Sequence, residues 1–195
     1  MRKMKYKKFY FGKLSPKILG NLDEEHKSKM RLLIEELKHG SWTERQIKRQ
    51  KSSILPNIAL YKVLMDNDIP SYEAKELVKE YSFYKAGKAH DLLATFFRIP
   101  GFFCVFRFFM RKGMAGDEIW KSQILFDDSK RFSMDVHKCL WADTCSYFDC
   151  AEICEIFCLC DYIVFGNIDK LQFKRSQTLG MNGEKCDFSF RSKPS

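Results

Sequence analysis

A thiol and a carboxylate stand side by side near the end of the chain, at Cys186 and Asp187. The residues around them alternate between apolar and polar, which predicts a β-strand whose neighbouring side chains point to opposite faces. Phe188 and Phe190 make the Cys186 face apolar, so we predict a buried thiol with Asp187 on the other face. This pair could supply a nucleophile and a proton carrier, whereas a lone buried cysteine is usually an ordinary small apolar residue.

The other cysteines are concentrated in the same part of the chain. Seven of the eight lie between Cys139 and Cys186, and none forms the Cys-x-x-Cys pair of a zinc finger. The lysine-rich opening lacks the apolar run of a secretory signal, so we predict free thiols in a reducing, cytoplasmic compartment. Cys150, Cys154 and Cys158 recur every fourth residue, which predicts a stripe along one helix face. Packing alone would explain such a stripe.

The formal net charge of +9 belongs to the N-terminal quarter of the chain. Residues 1–51 carry 15 Lys and Arg against 6 Asp and Glu, while residues 52–195 carry 19 of each. A basic segment can bind nucleic acid, but no motif for base stacking or base reading accompanies this one. We therefore interpret it as a solvated helical face and do not expect nucleic acid as a partner.

The elements that must position the thiols are helices followed by a sheet. Ser15-Pro16 predicts a helix start, Thr43 begins a capping box, and Leu55-Pro56 and Ser71 begin two further helices. Pro100-Gly101 interrupts the chain before a short Phe-rich stretch that we expect to be buried rather than to span a membrane.

After residue 116 the periodicity changes. We predict strands at 119–126, 132–140, 171–178 and 185–190, and a helix at 149–161. Helices and strands are segregated along the chain, which predicts an α+β fold: N-terminal helices, then an antiparallel sheet with a helix inserted between strands.

A chain of 195 residues is long enough for one domain with a substantial core. We predict a single domain over 1–195 with three parts. These parts are a basic helical segment (1–51), a helical part (52–115) and a cysteine-rich sheet part (116–191).

An ordered set of residues between about positions 50 and 191 resembles the L-2-amino-thiazoline-4-carboxylic acid hydrolase family. The set consists of Ile54-Leu55-Pro56-x-Ile58-Ala59-Leu60-Tyr61, Cys139, Phe157-Cys158-x-x-Asp161, Arg175-x-x-Thr178 and Gly183-x-x-Cys186-Asp187-Phe188-x-Phe190. The family pattern commonly has Arg where this chain has Ser189. Arg191, two residues further on, would share the same face of a strand.

The resemblance implies a hydrolase that acts on carbon–nitrogen bonds of a small cyclic amidine-like substrate, on a route to L-cysteine. Cys186, Cys158 or Cys139 would act as the thiolate nucleophile, Asp161 or Asp187 would move protons, and Arg175 would bind the substrate carboxylate. Thr178 is a further candidate contact to the substrate. In the alternative mechanism zinc is the cofactor, held by Cys139, Cys158 and Cys186, and it activates water.

A looser resemblance, at the level of the fold, is to vinyl-reductase-type small-molecule-binding domains. It implies a different class of function, a non-catalytic sensor or a structural zinc domain. The oligomeric state stays open.

Overall fold

The computed structural model describes residues 6–114 and 116–193. The chain divides into two compact units, Met1–Tyr81 and Ser82–Ser195. The prediction of a single domain stays a prediction, and the lysine-rich opening at residues 1–5 lies outside the described residues.

The helices begin where the capping residues predict. The Ser15 side chain accepts the N–H of Ile18 at the start of the second helix, and Thr43 forms a complete capping box with Gln46 at the start of the third. The eight α-helices of the described residues are α1 (Tyr6–Phe9), α2 (Pro16–Glu36), α3 (Glu44–Arg49), α4 (Leu55–Asp66), α5 (Ser71–Phe97), α6 (Phe102–Met114), α7 (Leu140–Tyr147) and α8 (Cys154–Phe165).

The strands form one antiparallel sheet in the order β1-β2-β4-β3. Their bounds are β1 (Trp120–Asp127), β2 (Arg131–Cys139), β3 (Leu171–Lys174) and β4 (Cys186–Ser192). Helices α7 and α8 lie in sequence between β2 and β3. The predicted α+β class, with helices preceding an antiparallel sheet and a helix inserted between strands, is therefore confirmed.

Two predicted elements differ from the structure. The helix predicted at 149–161 begins later, because Asp149 has a positive φ of 51° and a short 3₁₀ turn precedes α8. The strand predicted at 171–178 ends at Lys174, because the Asp187 carboxylate accepts two backbone N–H groups beyond that point, those of Ser176 and Gln177. Helix α8 also continues past 161 to Phe165, so Asp161 lies inside a helix, and Arg175 lies in a loop.

One face of the sheet packs into the core of the C-terminal unit. Phe132, Met134, Val136, Cys186 and Phe190 alternate along β2 and β4 and are all buried in the same apolar cluster. The inward position predicted for Cys186 is thus found, with Asp187 on the opposite face. The Phe-rich stretch departs from expectation because it forms an amphipathic helix, α6, of which only some aromatic rings are buried.

Within residues 6–114 and 116–193, no helix has the length and apolar character needed to cross a membrane.

Candidate active site

One face of α8 carries ionisable groups whose pKa values are shifted from their ordinary values. Cys154, Cys158 and Asp161 stand at positions i, i+4 and i+7 of the helix, and this spacing places them along one face. Cys158 and Asp161 are half-buried, whereas Cys154 is only 4% exposed. This face therefore carries two partly exposed groups and, one turn before Cys158, a third group that is buried.

The thiols of Cys145, Cys154 and Cys158 form a chain of neighbouring groups whose titrations are linked. Hydrogen bonds from Cys145 and Cys158 lower the pKa of Cys154, because both stabilise its thiolate. Hydrogen bonding to Cys150 and Cys154 raises the pKa of Cys145, and hydrogen bonding to Cys154 raises the pKa of Cys158. Cys154, in the middle, is therefore the thiol of the three that loses its proton most readily.

Cys186 lies beside this chain but is not activated by it. Burial raises the pKa of Cys186, while the Leu179 N–H, which donates to its sulfur at 3.3 Å, acts in the opposite direction. Burial likewise raises the pKa of Cys139 to about 12. Charge on Cys186 would raise the pKa of both Cys139 and Cys158, so the three thiols lie in one neighbourhood.

The donor set of the zinc alternative does not fit a metal ion. Within the described part of the chain, no three His, Cys, Asp or Glu side chains are placed to hold one. Cys139, Cys158 and Cys186 are neighbours, but they lack the convergent geometry that zinc requires.

Arg175 and Asp161 form the ion pair of the site. The Arg175 Nη1 donates to Asp161 Oδ2 at 2.6 Å and its Nη2 donates to the Cys158 carbonyl at 2.5 Å. The Arg175 side chain is 0% exposed and the Asp161 side chain 34%. Three aromatic rings surround the guanidinium, and they belong to Tyr162, Phe173 and Phe188. In this arrangement the protein occupies both Nη atoms, and the buried Nε has no hydrogen-bond partner within the described residues. Arg175 therefore orients Asp161 and does not present its two Nη atoms to a substrate carboxylate.

Both partners of this pair have a raised pKa, for different reasons. Burial outweighs the neighbouring guanidinium and raises the pKa of Asp161 to about 6. Burial acts to lower the pKa of Arg175, but Asp161 and Tyr162 together raise it. Since a third of the Asp161 side chain remains exposed, the carboxyl group can exchange protons with solvent near neutral pH.

Asp187 performs a structural task on the other face of β4. Its carboxylate accepts the Ser176 and Gln177 N–H groups at 2.9 and 2.8 Å and the Ser176 hydroxyl at 2.6 Å. Burial acts to raise the pKa of Asp187, but these hydrogen bonds prevail and lower it. Asp187 therefore stays ionised and fixes the loop that carries Arg175, which is a positioning role in place of the predicted proton transfer.

Thr178 supplies a buried hydroxyl next to the thiols. The residue is 2% exposed, and its hydroxyl acts as a hydrogen-bond donor that lowers the pKa of Cys158. The predicted substrate contact through Thr178 stays a prediction.

The loop approaches the thiols so closely at Gly180 that no side chain fits. A Cβ at this position would lie 2.7 Å from the Cys158 sulfur and 2.8 Å from the Cys154 sulfur. Both sulfurs belong to short side chains on a packed helix, which have little room to move. Gly180 is thus the residue that lets the loop cover the α8 face.

We expect Gly180→Ala to displace the two thiols, to lower the free energy of unfolding by about 1–3 kcal/mol and to slow labelling of Cys158. Iodoacetamide labelling followed by peptide mass spectrometry measures the second effect. Gly87→Ala is the matched control, because a Cβ there meets nothing within 4 Å and alanine favours the helix. Unchanged labelling of Cys158 in Gly180→Ala would contradict the packing described here.

An open cleft of ≈ 650 Å³ lies on the polar face of the sheet. Arg175 and Tyr162 contribute to its wall, and Arg175 also contacts α8, so one residue joins the cleft to the thiol-bearing helix. The remaining lining residues are Leu125, Arg131, Ser133, Asp135, Phe173, Lys174, Ser176, Lys185, Asp187, Phe188 and Ser189.

Two residues of this site are not singled out by the sequence. The sequence pattern assigns Cys154 to a packing stripe and gives Cys145 no role. The spacing of Cys154 and Cys158 is the available signal, because cysteines one helical turn apart can hydrogen-bond to each other. Which of the thiols loses its proton does not follow from that spacing.

A family model described as L-2-amino-thiazoline-4-carboxylic acid hydrolase matches residues 47–190. The match includes every candidate site residue discussed above. Comparison with curated proteins and with solved structures gives no match.

Proposed function

Because the chain belongs to the L-2-amino-thiazoline-4-carboxylic acid hydrolase family, we propose that it opens the ring of L-2-amino-thiazoline-4-carboxylate or a closely related cyclic amidine. One observation supports this proposal above the others: α8 carries a half-buried thiol at Cys158, a neighbouring thiol at Cys154 whose lowered pKa suits it to take a proton, and an acid at Asp161 with a raised pKa. Those are the groups that covalent hydrolysis of an amidine carbon requires.

The first half of the reaction forms a bond between protein and substrate. The Cys158 sulfur attacks the ring carbon that lies between sulfur and nitrogen, and its proton passes to the Cys154 thiolate. Asp161 donates a proton to the ring nitrogen, which makes the attacked carbon more electrophilic. The ring carbon–sulfur bond then breaks, the ring sulfur takes the proton from Cys154, and an isothiourea remains linked to Cys158.

The second half consumes water. A water molecule adds to the same carbon and gives a proton to the Asp161 carboxylate. The bond to Cys158 breaks, its sulfur keeps a proton from the adding water, and a carbamoyl group is left on the product. Substrate and water are consumed one for one, and the thiol, thiolate and acid return to their initial states.

Residues around these three groups position them. Arg175 fixes the orientation of the Asp161 carboxylate, and Asp187 fixes the loop that contains Arg175. The buried hydroxyl of Thr178 lies beside Cys158, where it can donate to the sulfur or to a substrate atom. None of these contacts requires a metal.

A turnover assay with L-2-amino-thiazoline-4-carboxylate tests the proposal. We expect protein purified under reducing conditions to give N-carbamoyl-cysteine, measured by mass spectrometry after chromatography. S-carbamoyl-cysteine has the same mass but forms when the ring carbon–nitrogen bond breaks, so resolving the two isomers identifies the bond. Absence of both products from folded protein, with and without added zinc, would overturn the proposed substrate.

A further inference from the structure

Helix α6 exposes apolar side chains on the face that points away from the core. Phe103 and Phe106 are buried in the apolar cluster of the C-terminal unit. Val105, Phe108 and Phe109 follow the helical spacing i, i+3 and i+4, so they lie together on the outer face. They are 45%, 49% and 64% exposed, respectively. The helix is therefore apolar on both faces, and only the inner face is buried in the described structure.

The exposed apolar surface continues onto the end of α5. The Phe96 ring of α5 stacks on the Phe102 ring of α6, with the ring centroids 5.4 Å apart. Leu92 lies one helical turn before Phe96, and Ile99 follows the end of α5. We define the α6 surface as the exposed residues Leu92, Phe96, Ile99, Val105, Phe108 and Phe109. These are six of the fifteen large apolar side chains that the described part of the chain exposes. Single exposed apolar residues are normal, whereas such a cluster indicates a binding surface.

Positive charge accompanies the α6 surface. Residues 92–114 contain four Lys and Arg and no Asp or Glu. Two of the four, Arg107 and Arg111, pair with a carboxylate of β1 at 3.1 Å. Arg98, just before α6, and Lys112, in its last turn, are exposed and make no ion pair within the described residues. The apolar surface is therefore flanked by two cations that the fold does not neutralise.

We propose that the α6 surface binds an anionic lipid bilayer, with α6 lying in the plane of the interface. A bilayer supplies an apolar layer for the exposed rings and anionic headgroups for the cations at the same time. Lys112 lies one turn beyond Phe108 on the same face, and its long side chain can reach the headgroups while the rings enter the lipid. Helix α6 has 13 residues and a length of about 20 Å, which is too short to cross a bilayer.

The charge of the α6 surface favours a lipid bilayer over a second copy of this chain. A symmetric dimer sets the same patch of the two copies against each other. Arg98 and Lys112 of both copies would then come together, and residues 92–114 supply no acid to separate them. Against an anionic bilayer the same cations add attraction instead of repulsion. Such binding would be independent of the proposed reaction, which needs no contact with this surface.

Co-flotation of the full-length protein with lipid vesicles tests the proposal. The vesicles consist of phosphatidylcholine alone or of phosphatidylcholine with about a quarter phosphatidylserine. We expect the protein to bind the anionic vesicles at least about tenfold more tightly than the neutral ones, and to bind them less tightly at high salt. Phe109→Gln should weaken this binding about tenfold, and Lys112→Glu should weaken it at least about fivefold.

Matched controls distinguish the α6 surface from exposed apolar residues in general and from the overall charge. Leu32→Gln removes a large side chain that is 61% exposed on α2. Lys48→Glu, at an exposed position of α3, changes the net charge by the same amount as Lys112→Glu. Both variants should bind the anionic vesicles as the wild-type protein does. Phe109→Gln should melt at the wild-type temperature, because the ring that it removes is mostly exposed.

A fluorescent label identifies the part of the protein that contacts the lipid. Cys104 is exposed on α6, whereas the other seven cysteines are buried or half-buried. A thiol-reactive dye whose emission depends on polarity can therefore be attached at Cys104. We expect its emission to move to shorter wavelength when the labelled protein binds the anionic vesicles.

Three results would overturn the proposal: no binding of the folded protein to anionic vesicles at low salt, equal binding by the wild type, Phe109→Gln and Lys112→Glu, or binding without a change in the emission of the Cys104 label. Self-association that Phe109→Gln abolishes, in a protein that does not bind vesicles, would also overturn it and assign the surface to a second copy. The proposed reaction is judged separately. Turnover without vesicle binding supports the reaction alone, and vesicle binding without turnover supports the lipid contact alone.

Discussion

Replacing Cys158 by serine is expected to reduce kcat for ring opening by at least about 10³-fold. A serine hydroxyl at this position would be a far weaker nucleophile than a thiol beside Cys154, whose lowered pKa suits it to accept the proton as a base. Cys154→Ser should also be strongly impaired, by about 10²-fold or more, because the proton acceptor is lost. Steady-state kinetics with the thiazoline substrate under reducing conditions measures both effects.

The order of the activity losses among the cysteine variants tests the assignment of the nucleophile more directly than the size of any single loss. Cys186→Ser should keep more activity than Cys158→Ser, because Cys186 is buried with a raised pKa and its role is to accept the Leu179 N–H. Cys160→Ser is the matched control on the same helix, since burial raises the pKa of Cys160 to about 12 and it takes no part in the thiol chain. Full activity in Cys158→Ser with none in Cys186→Ser would reverse the assignment.

The helical framework could be predicted because its signals are local. The Ser15 and Thr43 caps act within three residues of themselves, and both work as their sequence patterns indicate. The alternation of Cys186, Phe188 and Phe190 is equally local and placed Cys186 on the core face correctly. Such features depend on backbone geometry and nearby side chains, which the sequence displays directly.

The parts that could not be predicted depend on contacts between distant residues. The strand before Arg175 ends early because of Asp187, which lies more than ten residues further along the chain. The same contact changes the interpretation of two site residues, because Asp187 becomes a loop anchor and Arg175 becomes buried. Likewise, the family pattern places Cys158 and Asp161 in the site, but only their neighbours Cys154 and Arg175 determine which protons they hold.

At Ser189 this chain departs from the family pattern, which commonly has arginine there, but the same face of the sheet still carries an arginine nearby. Ser189 lies directly opposite Ser133, and Arg191 lies opposite Arg131, on the polar face of the sheet. An arginine is therefore one row away from the position where the family pattern commonly has one. Substitution on a sheet can move a charge by one row without moving it to the other face.

Removing Asp161 and removing Arg175 are expected to have unequal consequences for stability. Arg175→Met should lower the free energy of unfolding by about 3 kcal/mol, since it deletes two charge-assisted hydrogen bonds and the contacts with three aromatic rings. Asp161→Asn should lower it by less, about 1–2 kcal/mol at pH 7, because the amide oxygen of asparagine can still accept from Arg175 Nη1 although the buried guanidinium loses its counter-charge. Urea denaturation at pH 7 compares the two variants.

The pH dependence of stability provides an independent check on Asp161. Its pKa in the folded protein, about 6, is higher than the usual 3.8, so the folded state holds this proton more tightly than the unfolded state does. The stabilisation from the protonated form is therefore complete below about pH 4 and is lost as the pH rises through 6. Asp161→Asn should lack this decline, and its amplitude in the wild-type protein should be modest because solvent reaches a third of the side chain.

Replacing Asp161 should affect activity more than it affects stability. Asp161→Asn is expected to fold normally and to lose roughly 10²- to 10⁴-fold in kcat, the usual range for a missing general acid. A residue whose removal costs less stability than that of its partner, but is required for turnover, takes part in the reaction, whereas Arg175 stabilises the fold that positions it. If Asp161→Asn were as unstable as Arg175→Met and still active, the pair would be a structural ion pair, and the proton donor would have to be sought elsewhere on the α8 face.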